Sequence, residues 1–141
     1  MNLAYLEALE SIKTWDYPIW ALIIDDNWEI ITARNKRNTD NNKKSHAEIN
    51  LLEKLKDKDI SNKKLYVTLE PCKMCSEKLK EFWITQINYI LNDPINWWFS
   101  LFGEDVEIIK HDDNNQYLNL MLEYLPKDKY LEHREYFKNN N

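Results

Sequence analysis

The 141-residue chain carries 24 acidic and 19 basic residues, a formal net charge of −5, with 43% hydrophobic and 30% charged residues. That length suits one domain with its own core, that composition suits a soluble globular protein, and no apolar run approaches a membrane span. The opening MNLAYLEALE has no basic segment followed by an apolar one, which argues against a secretory signal, and two cysteines three residues apart argue against a disulfide framework and for a cytoplasmic protein.

In chain order, Leu3, Leu6, Leu9 and Ile12 recur at threes and predict an amphipathic helix over residues 2–13. Pro18 breaks it. Residues 20–24 and 28–32 read as strands joined by a turn at Asp25-Asp26-Asn27. Residues 35–44 are polar loop, and Ser45 opens a helix on which Ile49, Leu52 and Leu55 share a face. Residues 65–69 read as a buried strand, and Pro71 suits the first turn of a helix running through Leu79 and Phe82. Strands follow at 87–91 and 106–109, then helices near 116–125 and 127–137, split by Pro126. Strands alternating with helices predict an α/β sheet covered on both faces. Gly103 is the only glycine, so left-handed backbone must fall to Asn and Asp, and residues 139–141 read as a frayed tail of a single domain spanning 1–141.

The charge is uneven. Residues 1–85 hold fourteen acidic and fourteen basic side chains, residues 86–141 ten and five. One window runs the other way: Arg34, Lys36, Arg37, Lys43 and Lys44 face only Asp40. It is a solvated loop or a rim that attracts phosphate.

Ser45-His46-Ala47-Glu48 has two readings. As helix grammar it is a capping box, Ser45 closing the first turn and Glu48 reaching back. As chemistry, His46 is a metal ligand with Glu48 a proton carrier beside it. Cys72 and Cys75 lie one turn apart at a predicted helix N-terminus, where unpaired N–H groups favour the metal-binding thiolate. Alone the pair could be a redox dithiol. With His46 it makes three zinc ligands and leaves one position open, the pattern of a catalytic site; His111 and His133 sit in polar stretches and offer no obvious fourth ligand.

His46-Ala47-Glu48 followed by Pro71-Cys72-Lys73-Met74-Cys75 resembles the zinc-dependent cytidine deaminase superfamily, whose signature is His-x-Glu then Pro-Cys-x-x-Cys. The string YVTLEPCKMC most resembles bacterial tRNA-specific adenosine deaminases, and the likeness covers about residues 3–94. It implies a three-layer cytidine-deaminase-like fold with a five-stranded mixed sheet. It also implies a cytoplasmic homodimer, and hydrolytic deamination of adenosine to inosine at the wobble position of a tRNA anticodon loop. His46, Cys72 and Cys75 would hold Zn²⁺, which lowers the pKa of water toward neutral, and Glu48 would move the protons. Asn35, Ala47 and Pro71 would contact the substrate. Ser45 would still cap the helix, with the Glu48 carboxylate aimed at the metal side and not at the Ser45 amide.

Three features depart from that family. Trp20 stands where a glycine is usual. Residues 93–105, DPINWWFSLFGED, are barely long enough for a parallel crossover, and a hairpin there would resemble the free-cytidine branch. The C-terminal helices, basic in tRNA-acting members, are evenly balanced here. Trp97, Trp98, Phe99, Leu101 and Phe102 read as core or subunit interface, with a base-stacking platform as the sharper reading. Deamination of a free base, nucleoside or nucleotide (cytosine, guanine or deoxycytidylate) therefore stays open, and so does a catalytically silent zinc domain.

Overall fold

The run WALII buries alternate side chains and forms β1 (Trp20–Ile24), whose Ala21 and Ile23 are fully enclosed. The chain turns into the antiparallel β2 (Ile30–Arg34), with Trp20 opposite Arg34 and Ile24 opposite Ile30. The second strand starts two residues later than its composition suggests. Asp25 is the cause: its Oδ1 accepts the amides of Asn27 (2.9 Å) and Glu29 (3.0 Å), which carries the turn through Glu29. A computed structural model describes residues 2–93, 102–124, 135, 137–139 and 141.

β3 (Lys64–Leu69), β4 (Gln86–Leu91) and β5 (Glu107–Lys110) complete a five-stranded sheet in the order β2-β1-β3-β4-β5. β3 runs antiparallel to β1 and parallel to β4. β5 is parallel to β4, with Ile87 opposite Ile108, so the fourth connection is a crossover and not a hairpin. Most of that connection, with Trp97, Trp98, Phe99 and Leu101, lies outside the described residues; Phe102 is buried in the core.

Helices cover both faces, as the alternation of elements requires. α2 (Ala47–Lys54) and α3 (Lys73–Glu81) press Leu51, Leu52, Leu55 and Leu79 onto Ala21, Ile23, Leu65, Val67 and Ile87. α1 (Asn2–Lys13) and α4 (Gln116–Tyr124) cover the opposite face through Ala8, Leu118, Leu120 and Met121. Burial of this kind contributes roughly 1.5–3 kcal/mol per large aliphatic side chain. No described helix is long and apolar enough to cross a membrane. Of the helix expected at 127–137, most residues lie outside the described set; residues 135 and 137–139 are helical.

The tail is not frayed at its last residue. Asn141 is half-buried, its Oδ1 accepts the Asn92 amide (2.7 Å), and its Nδ2 donates to the Phe137 carbonyl (3.2 Å). Left-handed backbone falls to Asn41, Asn62, Asn114 and Asn115 as expected, but also to Trp15, Trp28 and Trp83 and to no described Asp. Those three indoles are 76–85% exposed, where a left-handed residue meets no packing constraint. Trp20 is accommodated inside: it is 3% exposed, and its indole Nε1 has no hydrogen-bond partner among the described residues.

Candidate metal and catalytic centre

Two helix N-termini meet at one end of the sheet. β3 delivers Leu69 and Glu70, whose amide donates to the Leu91 carbonyl (2.8 Å), and the chain then turns into α3 with Cys72 as N-cap. The α2 N-cap is His46. Both caps have extended backbone, φ −79° and ψ 157° at His46, φ −69° and ψ 171° at Cys72, and neither side chain caps its own helix. Their side chains point at each other instead.

This overturns the capping box. With His46 as N-cap, Ser45 lies outside the helix and Glu48 falls one position short of the reciprocal partner. Ser45 Oγ donates to Asp40 Oδ2 (2.6 Å), and the Ser45 amide donates to the Asn42 carbonyl (3.1 Å). Pro71 likewise precedes the α3 cap and is not in its first turn; its carbonyl accepts the Ser76 hydroxyl (3.3 Å).

His46 Nδ1 lies 3.5 Å from Cys72 Sγ and 3.5 Å from Cys75 Sγ, and the three donor atoms fall within 4.8 Å of one another. A tetrahedral zinc with Zn–S about 2.3 Å and Zn–N about 2.0–2.1 Å has S···N edges of about 3.5–3.6 Å. The donor set therefore fits zinc in both chemistry and spacing. It is the one such cluster among the described residues, and it supplies three ligands, not four. His111 is no fourth: it is exposed and its Nε2 lies 2.8 Å from Asn88 Oδ1. His133 lies outside the described residues.

The electrostatics match a cation site. The Cys75 hydrogen bond and, after it, His46 hold the Cys72 thiol well below the ordinary thiol range. The hydrogen bond that its ring donates to the Cys72 sulfur raises His46. The Cys75 thiol is pushed up by its bond to the Cys72 sulfur and by burial. Glu48, 3% exposed, is pushed up to about 7, first by burial and then by the Cys72 charge. Its own amide, His46 and Cys75 act in the other direction. A carboxyl held near neutral takes and gives protons with little driving force either way.

The remaining sequence candidates sit around this cluster. Asn35, 1% exposed, follows β2, with its amide on the Ile19 carbonyl (2.9 Å) and its Oδ1 accepting the Arg37 amide (3.0 Å). Ala47 is fully buried in the first turn of α2. Among the described residues, Lys36, Arg37, Lys43 and Lys44 form no ion pair, whereas Arg34 pairs with Glu7 (3.6 Å). Arg37 stacks over Tyr17 (5.5 Å) and is close enough to His46 to oppose its protonation.

Two buried carboxylates escaped the sequence reading. Glu70, 3% exposed, is pushed up to about 7 by burial, and its Oε2 accepts the Asp93 amide (3.0 Å). Asp16 is fully enclosed. Nothing local marks Glu70 within TLEPC, or Asp16, as a buried acid.

Comparisons agree with this geometry. Residues 1–91 match the family model described as the cytidine and deoxycytidylate deaminase zinc-binding region. A tRNA-specific adenosine deaminase of Agrobacterium fabrum is 33% identical over 98 residues, covering 67% of this chain and 64% of its own, so the chain spans just under two thirds of that relative. A solved structure from work on A-to-I editing by tRNA:A34 deaminases superposes with TM-score 0.67 at 26% identity, covering 79% of this chain and 95% of that one. A guanine deaminase of Nitrosomonas europaea reaches TM-score 0.72 at 16% identity over 87% of this chain and 81% of its own, a likeness of fold.

Proposed function

The chain belongs to the cytidine and deoxycytidylate deaminase zinc-binding family, and on that basis we propose that it hydrolyses adenosine to inosine at the wobble position of a tRNA. The observation that carries the chemistry is the cluster of half-buried His46 and Cys72 with buried Cys75 and Glu48: three ligands and a neutral-range carboxyl beside them. A silent binding domain has no use for that carboxyl.

His46 Nδ1 and the two thiolates hold zinc, which when bound supplies Lewis-acid activation of water near neutral pH. Glu48 takes one proton from the attacking water and delivers it to the ring nitrogen, then takes the second from the hydroxyl now on the ring carbon and delivers it to the amino group, which leaves as ammonia. Asn35 holds the base or ribose through Nδ2, since Oδ1 is already engaged by Arg37. The amide of Ala47, one of the N–H groups without a partner inside the helix, donates toward the ring, and the buried ring of Pro71 forms an apolar wall.

Three observations favour RNA as the substrate. β5 is parallel, which removes the hairpin that would resemble the free-cytidine branch. The unpaired cations at 36–44 border the site. The Agrobacterium relative and the A-to-I editing structure carry tRNA names, whereas the guanine deaminase is a likeness of fold. A tRNA substrate and a thiol-bound metal both suit the reducing cytoplasm. A homodimer is supported by the exposed apolar side chains Leu3, Leu6 and Ile30, 49–60% accessible.

The test is direct competition of substrates. Zinc-loaded protein is incubated with an anticodon stem-loop bearing adenosine at its wobble position, and separately with free adenosine, cytidine, deoxycytidylate and guanine. The expected result is inosine in the stem-loop at a kcat/KM at least about 10²-fold above any free substrate. Turnover of a free substrate with an untouched stem-loop would replace this reading with that of a small-molecule deaminase.

A further inference from the structure

The polar loop that ends at His46 is bonded within itself but has few ties to the rest of the protein. Residues 36–45 close on themselves at the neck, where the Lys36 amide donates to the Ser45 carbonyl (2.9 Å). Inside, the Asn42 amide donates to the Arg37 carbonyl (3.0 Å), and Asn41 takes a left-handed φ of +46°. The loop is polar and largely exposed, apart from half-buried Arg37 and buried Ser45, with no apolar side chain to anchor it. Its two ends nonetheless carry functional residues: Asn35 before it and His46 after it.

One carboxylate takes three of the loop's bonds to the body of the protein. Asp16 Oδ1 accepts the amides of Asn38 (2.7 Å) and Thr39 (3.1 Å), and Oδ2 accepts the hydroxyls of Thr39 (2.5 Å) and Thr14 (2.7 Å). The Asn38 side chain donates in turn to the Trp15 carbonyl. Burial alone would raise Asp16, but the bonds from Thr39, Thr14 and Asn38 outweigh it and hold the carboxyl below its usual range. The next residue, Tyr17, lies under the Arg37 guanidinium. Asp16 and Tyr17 therefore grip consecutive residues of one loop, Arg37 to Thr39.

We propose that Asp16 is a positioning residue for substrate binding: through Asn38 and Thr39 it presets the cationic loop of Lys36, Arg37, Lys43 and Lys44, and the Asn35 that begins it, for an RNA backbone. A loop left free would have to be ordered by the substrate at each encounter, and that cost appears in binding and not in the chemical step. The proposal rests on the RNA reading above.

The test uses Asp16→Asn and Thr39→Val in the full zinc-loaded chain. Asn offers one acceptor oxygen where Asp offers two, and its amide donors would meet the Asn38 and Thr39 N–H groups. Thr39 is exposed, so its valine variant removes one bond without touching the core. For Asp16→Asn on the stem-loop, KM should rise at least about tenfold with kcat within about threefold and zinc content unchanged; for Thr39→Val, KM should rise about two- to fivefold. An unchanged KM in either variant, or a loss confined to kcat, overturns the proposal. If Asp16→Asn fails to fold, the Thr39→Val result decides. If the wild type leaves the stem-loop untouched, amide hydrogen exchange decides separately. Faster exchange at 37–41 in Asp16→Asn or Thr39→Val, with sheet amides unchanged, supports the clamp, and equal protection overturns it.

Discussion

Replacing Glu48 by glutamine should lower kcat by about 10³- to 10⁴-fold, the upper range for removing a general acid–base, while each chain still binds about one zinc. The reason is the division of labour in the cluster. His46, Cys72 and Cys75 bring their donor atoms within 4.8 Å of one another without Glu48. Glutamine keeps the volume of a side chain that is only 3% exposed, and burial already pushes that carboxyl up to about 7, so a neutral amide fits the same place. It cannot carry the proton. Metal analysis and single-turnover rates on the same preparation separate the two roles. Loss of zinc in step with activity would make Glu48 a ligand; activity within tenfold of wild type would take the proton transfer away from it.

The second large effect is expected at Cys75. Changing it to serine removes a thiolate from a position that is fully buried in the first turn of α3. Zinc should fall below about 0.1 per chain and turnover should disappear. Stability should fall as well, because the metal joins the N-termini of α2 and α3, and a ligand that binds only the folded state stabilises it by about 4 kcal/mol at 1,000 times its Kd. For a chain of this size that is a thermal midpoint lower by roughly 10 °C. A chelator applied to the wild type should reproduce the midpoint of the variant. Full zinc retention in Cys75→Ser would mean that the ligand set is different.

Much of this was readable from the chain because the signals are local and strong. Leucines at threes gave α1 as Asn2–Lys13, and an apolar run after a proline gave β1 as Trp20–Ile24. The two-part motif named the three ligands, and the fold brought His46 across 26 residues to Cys72. What failed depended on choices that side chains make between partners. Ser45 is a good cap by type, yet its hydroxyl goes to Asp40, because His46 needs extended backbone to aim Nδ1 at the thiols and therefore takes the cap position itself. Asp25 lengthened its turn by bonding two amides instead of one. The direction of β5 is a matter of topology, not composition; a segment of barely sufficient length crossed over all the same. Asp16 was invisible for the same reason in stronger form. Its partners lie 22 and 23 residues away in a polar loop, and no periodicity links them.

Hydrolysis is the centre of this account, and the origin of the oxygen in the product tests it most directly. Zinc-loaded protein should be incubated in H₂¹⁸O with the anticodon stem-loop, and the released nucleosides weighed. The account predicts inosine two mass units heavier, with one ammonia released per inosine and neither formed by Glu48→Gln. Inosine without the heavy oxygen, or a stem-loop and free bases all left intact by protein carrying a full zinc, would contradict it.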